Sequence, residues 1–139
     1  MNITTKIINL KTKGNFDIID ITSQVSKKIN DCPSNNGIIT IFVSGSTGGL
    51  TTIEYESGVL NDLKSTFDRL IPQDIIYQHD KRWGDGNGYS HVRASMIGPS
   101  LTIPFNNKSL LLGTWQQIIF IDFDNRSRSR EIILQIIGD

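Results

Sequence analysis

The chain has 139 residues, with 14 basic and 14 acidic side chains and no net charge at neutral pH. This length predicts a single domain, residues 1–139, that buries a substantial core. The balanced charge argues against nucleic-acid and membrane partners. The single cysteine excludes an internal disulfide and a cysteine-rich zinc site. No secretory leader and no apolar run of bilayer length is visible, so we expect a cytoplasmic protein.

The first half of the chain predicts four strands and two helices. Strands are expected at residues 3–10, 16–21, 38–43 and 50–53, where apolar residues alternate or are β-branched. Thr22 is a suitable N-cap for a first helix, whose apolar residues recur at every fourth position. A second helix is expected over residues 55–70, and Pro72 ends it.

The second half predicts one short helix followed mainly by strands. Residues 79–88 are expected to be irregular, and a helix is expected over residues 89–97. Strands are expected at residues 100–105, 109–112, 117–123 and 131–137. This order predicts an α+β fold in which antiparallel, sandwich-like β-sheets carry two or three flanking helices.

The run Ile118–Ile121 is apolar at every position. A strand of this kind is typically buried on both faces. In a chain of this size a neighbouring subunit can supply one of the covering surfaces, and we therefore expect a homo-oligomer.

A glycine-rich segment over residues 83–91 carries Asp85, Asn87 and His91. Glycines permit tight bends that can aim these side chains at one point. His79 lies just upstream, and the chain has no other histidine. Imidazole and carboxylate are natural metal ligands, and imidazole is also suited to general acid–base catalysis. The alternative is a surface loop with two histidines in structural hydrogen bonds.

The small residues that follow the third predicted strand form a second candidate site. Their backbone N–H groups, with the hydroxyls of Ser46 and Thr47 beside Gly48, could bind phosphate or carboxylate oxygens. A tight turn explains the same residues equally well. Glu54 follows directly and could bind a metal or a substrate amine. Like Glu56, it could instead favour the start of the second helix.

A third candidate joins two predicted strands and contains Thr114, Trp115 and Gln116. The tryptophan ring could stack on an aromatic ligand while an amide binds the ligand's edge. A buried structural tryptophan at a sheet corner is the alternative.

Arginines occupy alternating positions just before the last predicted strand, namely Arg126, Arg128 and Arg130. They would share one face of an extended chain. This pattern is typical of a solvated edge that discourages strand pairing, and phosphate binding is the lesser alternative.

Four segments together resemble the YjbQ-like family of small proteins, some of which are described as secondary thiamine-phosphate synthases. They are Ser46–Glu54, Asp85–Ser95, Gly98–Pro104 and Leu112–Gln117. The resemblance extends from about Ile38 to Gly138. It implies antiparallel sheets with flanking helices, a homotrimer, and a polar cleft near the histidines. The cleft could hold a divalent metal ion, zinc or magnesium, and no organic cofactor is expected.

The reaction implied by the resemblance joins a hydroxymethylpyrimidine diphosphate to a thiazole phosphate and releases diphosphate. Many relatives have a histidine at Ser46 or its neighbour, and some have one at Tyr89. This chain lacks both, so His79, His91 and Asp85 remain as the candidate metal ligands.

For this reaction the candidate catalytic residues are His91, Asp85, Asn87 and Glu54. The candidate residues for binding a small phosphorylated substrate are Ser46, Thr47, Gly48, Ser90, Arg93, Thr114, Trp115 and Gln116. Two other functions stay open, namely a non-enzymatic trimer that binds a metal or small ligand, and a hydrolase of small phosphorylated or carboxylated metabolites.

Overall fold

The structure is a computed structural model that describes residues 1–139. It contains eight strands and four helices. In chain order they are β1 (Asn2–Thr12), β2 (Asp17–Asp20), α1 (Thr22–Asn30), β3 (Gly37–Val43), β4 (Gly48–Ile53), α2 (Ser57–Leu70), α3 (Gln78–Trp83), α4 (Gly88–Ile97), β5 (Ser100–Asn106), β6 (Ser109–Leu110), β7 (Gln117–Asp122) and β8 (Arg128–Gly138).

The strands form two antiparallel sheets. A five-stranded sheet has the order β1-β8-β3-β5-β6, and a three-stranded sheet has the order β2-β7-β4. The α+β fold with antiparallel sheets is therefore confirmed. The number of helices is four because α3 forms in a segment predicted to be irregular. This six-residue helix buries no side chain, so it has no apolar periodicity that the sequence could show.

Strand β7 separates two hydrophobic cores. Ile118 and Phe120 face the five-stranded sheet in a cluster of 17 buried residues. Ile119 and Ile121 face α2 and α4 in a cluster of eight. The prediction that this strand is buried on both faces is correct, but both covering surfaces come from the same chain. The apolar run is therefore no argument for a neighbouring subunit.

The outer face of the five-stranded sheet leaves large apolar side chains exposed. The pairing register places Ile137 between Ile3 and Ile38, and it places Ile133 between Ile7 and Phe42. These two apolar rows are separated by a polar row formed by Thr5, Gln135 and Thr40. The exposed fractions of Ile3 and Phe42 are 63% and 41%. The single chain therefore leaves two exposed apolar rows on this face, a feature that interaction surfaces commonly have.

Thr22 does not cap α1 as predicted. The N-cap position is Ile21, which makes no side-chain cap hydrogen bond, and Thr22 lies inside the helix. The Thr22 hydroxyl donates to the Asp20 carboxylate at 2.6 Å and accepts from the Ile118 N–H at 2.8 Å. Thr22 therefore connects α1 to β2 and β7.

Helix α2 begins two residues later than predicted and ends before Pro72 as expected. Glu56 is its N-cap, because the carboxylate accepts the N–H groups of Gly58 at 2.8 Å and Val59 at 2.9 Å. These backbone hydrogen bonds lower the pKa of Glu56 below its usual value. Glu56 thus has the structural role that acidic residues commonly take at a helix N-terminus. None of the four helices is long and apolar enough to span a membrane.

Candidate functional site

Helix α3 and the turn after it place one imidazole against two carboxylates. The Nδ1 atom of His79 lies 3.6 Å from the Oδ1 atom of Asp80 and 3.4 Å from the Oδ1 atom of Asp85. The turn returns toward His79 because Gly84 and Gly86 adopt φ values of 66° and 64°, which favour glycine. Ligand atoms of the three side chains all lie within 4.8 Å of one another, a spacing compatible with one metal ion.

Backbone N–H groups hold both carboxylates in place. The Oδ1 atom of Asp80 accepts from the N–H of Gly88 at 2.9 Å, and that of Asp85 accepts from the N–H of Asn87 at 3.2 Å. The Asn125 side chain also donates to the main-chain carbonyl of Asp85 at 2.7 Å. Such outer contacts orient metal ligands, so the cluster is organised before any ligand binds.

The Nδ1 atom of His79 is buried and has no hydrogen-bond partner. Almost all buried polar atoms in proteins have a partner, so this one requires an explanation. A cation among the three side chains would supply the missing interaction.

His91 lies beside this cluster but not in it. Its ring packs against the His79 ring, with a centroid distance of 4.5 Å and an interplanar angle of 45°. Of the predicted ligands, the structure therefore groups His79 with Asp85 and adds Asp80 in place of His91. The sequence signal for Asp80 was its position directly after His79, and the structure shows that its carboxylate lies beside the imidazole.

His91 lines a surface cleft of about 380 Å³. The other lining residues are Gly45, Ser46, Gly48, Ala94, Ser95 and Pro99. The cleft therefore joins two segments that the sequence singled out separately, namely the small residues before β4 and the glycine-rich loop. Ser46 is exposed here, so its hydroxyl is accessible to a ligand.

The glycine at position 48 has a packing role. A Cβ atom at Gly48 would lie 2.5 Å from the Phe120 ring, so only glycine allows β4 to approach β7 this closely. Thr47 is buried, and its hydroxyl donates to the Asp124 carboxylate at 2.9 Å. Its side chain is therefore directed into the protein and not into the cleft.

Two predicted site residues, Asn87 and Ser90, make internal hydrogen bonds. Asn87 accepts from the Ser90 hydroxyl at 2.5 Å and donates to Asp124 at 3.3 Å. The Ser90 Oγ atom also lies 2.6 Å from the Phe123 carbonyl oxygen, so the single hydroxyl proton is shared between two acceptors. Asn87 and Ser90 are buried and connect α4 to the end of β7. These contacts correct the expectation that Asn87 acts in catalysis and that Ser90 binds substrate.

Arg93 likewise does not reach a ligand site. It is buried, and its Nε and Nη2 atoms donate to the Ile71 carbonyl at 3.0 and 2.8 Å. It also forms an ion pair with Asp68 at 3.2 Å. Arg93 therefore satisfies the C-terminal end of α2, and the expectation that it binds phosphate is corrected.

The third predicted segment lies in a separate cavity of about 410 Å³, lined by Asp20, Glu54, Tyr55, Glu56, Thr114, Trp115 and Gln117. Gln116 is close by, where it donates to the Thr52 hydroxyl at 3.1 Å. Gly48 and Glu54 stand at opposite ends of β4, about 20 Å apart at the usual rise per residue. Within one chain, Glu54 and Trp115 therefore do not share a site with His91.

A buried ionic network lies behind the cleft, where the sequence predicted a solvated edge. Arg130 forms a two-point ion pair with Asp122 at 2.8 and 2.9 Å, and Arg128 pairs with Asp124 at 3.0 Å. Asp122 and Asp124 are almost fully buried. The sequence signal for these pairs was the alternation of inward-facing and outward-facing residues along β8. This alternation places Arg128 and Arg130 on the same inward face as Ile132.

Asp124 stays ionised although it is buried. Burial alone would raise its pKa, but hydrogen bonds from Thr47, Arg128 and Asn87, together with the charge of Arg128, outweigh this effect. The pKa of Asp124 therefore lies below its usual value.

A family model described as "UPF0047 protein YjbQ-like" matches residues 6–139. This chain belongs to the YjbQ-like UPF0047 family. A UPF0047 protein of Methanothermobacter thermautotrophicus is 37% identical over 99% of this chain and 94% of the relative. A UPF0047 protein of Archaeoglobus fulgidus is 34% identical over 94% of this chain and 98% of the relative.

Solved structures of YjbQ-like proteins show the same architecture. An uncharacterized conserved protein of the YjbQ/UPF0047 family from Clostridium acetobutylicum superposes with a TM-score of 0.86 and 32% identity, covering 95% of this chain and 99% of the other. A hypothetical protein from Aeropyrum pernix gives a TM-score of 0.89 and 26% identity, covering 98% and 99%. The YjbQ-like fold of this chain is thus shared across nearly its whole length.

Proposed function

We propose that this YjbQ-like protein binds a divalent metal ion through His79, Asp80 and Asp85. The observation that carries the proposal is the buried Nδ1 atom of His79, which has no hydrogen-bond partner and faces two carboxylate oxygens. The donor set fits zinc better than magnesium, because zinc accepts imidazole nitrogen with carboxylate oxygen, whereas magnesium prefers oxygen ligands and water.

We further propose that the adjacent cleft serves a thiamine-phosphate-synthase type reaction, in which a thiazole phosphate displaces diphosphate from a hydroxymethylpyrimidine diphosphate. A bound divalent ion would stabilise charge on the departing diphosphate. His91 would donate a proton to the oxygen of the departing diphosphate, and the Ser46 hydroxyl would donate a hydrogen bond to a phosphate oxygen. The cleft volume of about 380 Å³ suits a small metabolite.

The remaining predicted residues are left out of this chemistry. Glu54, Thr114, Trp115 and Gln116 lie at the far end of β4, and Arg93 and Asn87 are engaged inside the protein. The proposal therefore rests on a smaller set than the sequence suggested, with His91 and Ser46 in the cleft beside the metal ligands.

The test uses zinc-loaded protein, the two substrates and a measurement of thiamine phosphate. Turnover is expected in the natural protein and is expected to be lost in His91→Ala with zinc content unchanged. Asn61→Ala, an exposed change on α2, serves as the control that keeps activity. Zinc binding without turnover would contradict the enzymatic function and favour a non-enzymatic metal-binding protein. Release of phosphate from one substrate alone would favour a hydrolase.

We also propose that the protein is a homotrimer assembled through the outer face of the five-stranded sheet. The support is the pair of apolar rows on that face, which include Ile3, Ile7, Ile38, Phe42 and Ile137 and are exposed in the single chain. Covering them with a second copy would remove apolar area from water. Cys32 is a buried free thiol, which suits the cytoplasm as the location of the trimer.

A further inference from the structure

Three dipeptides in the chain place a glycine directly after an asparagine or an aspartate, namely Asn36–Gly37, Asp85–Gly86 and Asn87–Gly88. In such a pair the main-chain nitrogen of glycine can attack the side-chain carbonyl carbon of the preceding residue and close a five-membered imide ring. Glycine favours this attack because it has no side chain to hinder the approach. Which of the three pairs reacts depends on the freedom that the folded protein leaves to each.

Internal hydrogen bonds hold both asparagine pairs. The Nδ2 atom of Asn36 donates to the Asp139 carboxylate at 2.7 Å, and its Oδ1 atom accepts a main-chain N–H. Asn87 is buried, and its side-chain amide is bonded at both ends. The Gly88 nitrogen, which would have to attack Asn87, donates its N–H to the Oδ1 atom of Asp80 at 2.9 Å. Ring closure at either asparagine would therefore break existing contacts.

The Asp85–Gly86 pair has no such restraint. The Asp85 side chain is 50% exposed, and the N–H of the exposed Gly86 makes no hydrogen bond within the chain. The Asp85 carboxylate accepts a single hydrogen bond, from the N–H of Asn87 at 3.2 Å. This contact folds the side chain back over the intervening Gly86 amide. The structure thus leaves the attacking nitrogen free and holds the carboxyl group close to it.

We propose that Asp85 is a site of spontaneous isomerisation to isoaspartate. The Gly86 nitrogen attacks Cγ of the protonated carboxyl group, and the proton of that nitrogen leaves with the carboxyl hydroxyl as water. Water then adds to the imide. Addition at Cγ restores aspartate, whereas addition at the main-chain carbonyl carbon leaves the chain running through Cβ and Cγ. The water lost in the first step is regained in the second, so no oxidant or co-reactant is needed.

Isomerisation would remove a carboxylate from the cluster around His79. The Cγ atom of Asp85, whose Oδ1 atom lies 3.4 Å from His79 Nδ1, becomes part of a main-chain amide, and the new carboxylate is attached to Cα. The loss of a metal ligand in this way rests on the proposed function, in which Asp85 binds zinc. Bound zinc is expected to slow the isomerisation, because it engages the carboxylate and stabilises the ordered turn.

Incubation of metal-free folded protein at neutral pH, followed by peptide mapping, tests the proposal. Trypsin releases residues 83–93 as one peptide, in which isomerisation of Asp85 changes the retention time but not the mass, whereas deamidation of Asn87 changes the mass. In the folded protein Asp85 is expected to react before Asn36 and Asn87. In urea the order is expected to reverse, because an amide reacts as it stands and a carboxyl group only in its protonated form.

Gly86→Ala is expected to slow the isomerisation about tenfold, because the added Cβ atom hinders the approach of the nitrogen. Gly84→Ala is the matched control. The two glycines have φ values of 64° and 66°, and a Cβ atom at either would meet no atom closer than 3.9 Å, so both variants carry the same backbone strain. Equal rates in the two variants, or reaction of either asparagine before Asp85 in the folded protein, would overturn the proposal.

Zinc titration of fresh and isomerised protein separates this proposal from the metal site. Isomerised protein is expected to bind zinc about tenfold more weakly than fresh protein. Isomerisation with unchanged zinc affinity would overturn the link to the metal site and exclude Asp85 as a ligand. Absence of zinc binding in fresh protein would overturn the metal site alone, since the isomerisation is measured without metal.

Discussion

Asp124 accepts a hydrogen bond from the Thr47 hydroxyl at 2.9 Å, and this contact ties the end of β7 to the turn that borders the cleft. The same carboxylate accepts from Asn87 at 3.3 Å, next to Asp85, a proposed metal ligand. One buried carboxylate therefore joins the small-residue turn to the glycine-rich loop. The arrangement of the cleft depends on Asp124 although the residue does not line it.

Replacing Asp124 by asparagine is expected to lower the free energy of unfolding at pH 7 by about 3 kcal/mol, because the amide removes the charge that pairs with Arg128 and its NH2 group cannot accept the hydrogen bonds that one of the two carboxylate oxygens receives. Asp62→Asn, an exposed change on α2, serves as the control and is expected to have little effect. Urea denaturation of both variants measures the difference. Equal stability of the two variants would contradict the role of Asp124.

The pH dependence of stability follows from the lowered pKa of Asp124. A carboxyl whose pKa is lower in the folded than in the unfolded state contributes stability above its unfolded pKa, which is about 3.9 for aspartate. This contribution is lost as the pH falls through the lower folded pKa. The natural protein is therefore expected to lose more stability than Asp124→Asn as the pH is lowered from about 5 toward 3, because the carboxyl binds its proton in the unfolded chain before it does so in the folded one. Parallel curves would contradict the assignment.

Two tyrosine hydroxyls predict opposite effects of the same substitution. The Tyr89 hydroxyl is buried and has no hydrogen-bond partner, whereas the Tyr77 hydroxyl donates to the Pro72 carbonyl at 2.6 Å. Tyr89→Phe is expected to raise the free energy of unfolding by about 1 kcal/mol, because it removes an unsatisfied polar group. Tyr77→Phe is expected to lower it by about 1 kcal/mol. Chemical denaturation measures both, and a loss of stability in Tyr89→Phe would show that its hydroxyl has a partner.

Asp80 and His91 distinguish the metal site proposed from the structure from the one expected from the sequence. Asp80→Asn is expected to weaken zinc affinity at least about tenfold, because it removes a proposed ligand. His91→Ala is expected to keep most of the affinity, since His91 lies outside the ligand group. Asp74→Asn, an exposed change before α3, is the control. Zinc titration measures all three, and loss of zinc in His91→Ala alone would restore the ligand set expected from the sequence.

A charge on the outer face of the five-stranded sheet is expected to disrupt the proposed trimer. Phe42→Lys places an ammonium group within an apolar row, where burial of an unpaired charge is strongly unfavourable. Ile76→Lys is the control, because Ile76 is 81% exposed and lies outside that sheet. Light scattering is expected to give three times the 15.6 kDa chain mass for the natural protein and the control. A smaller mass is expected for Phe42→Lys, and an unchanged mass would place the interface elsewhere.

Local patterns in the sequence predicted most of the fold. Alternating apolar residues located the strands, and the glycines around Asp85 predicted a bend that could bring it to His79, which the structure places 3.4 Å away. Helix α3 was missed because it buries nothing, and Asp80 was missed with it. The prediction that Trp115 and His91 share a site was not met within one chain, because the cavities that they line lie at opposite ends of β4.

The sequence by itself determined the strand pattern, the double burial of β7 and the position of the glycine-rich loop, since these depend on residues that are neighbours along the chain. Tertiary structure decided the roles of the polar side chains, because their partners lie far away in sequence. Arg130 meets Thr47 across 83 positions, and Asp124 meets Asn87 across 37. Only folding brings such groups into a buried environment, where each needs a hydrogen-bond partner. The folded structure therefore distinguishes internal polar residues, such as Arg93 and Asn87, from the residues that face the cleft.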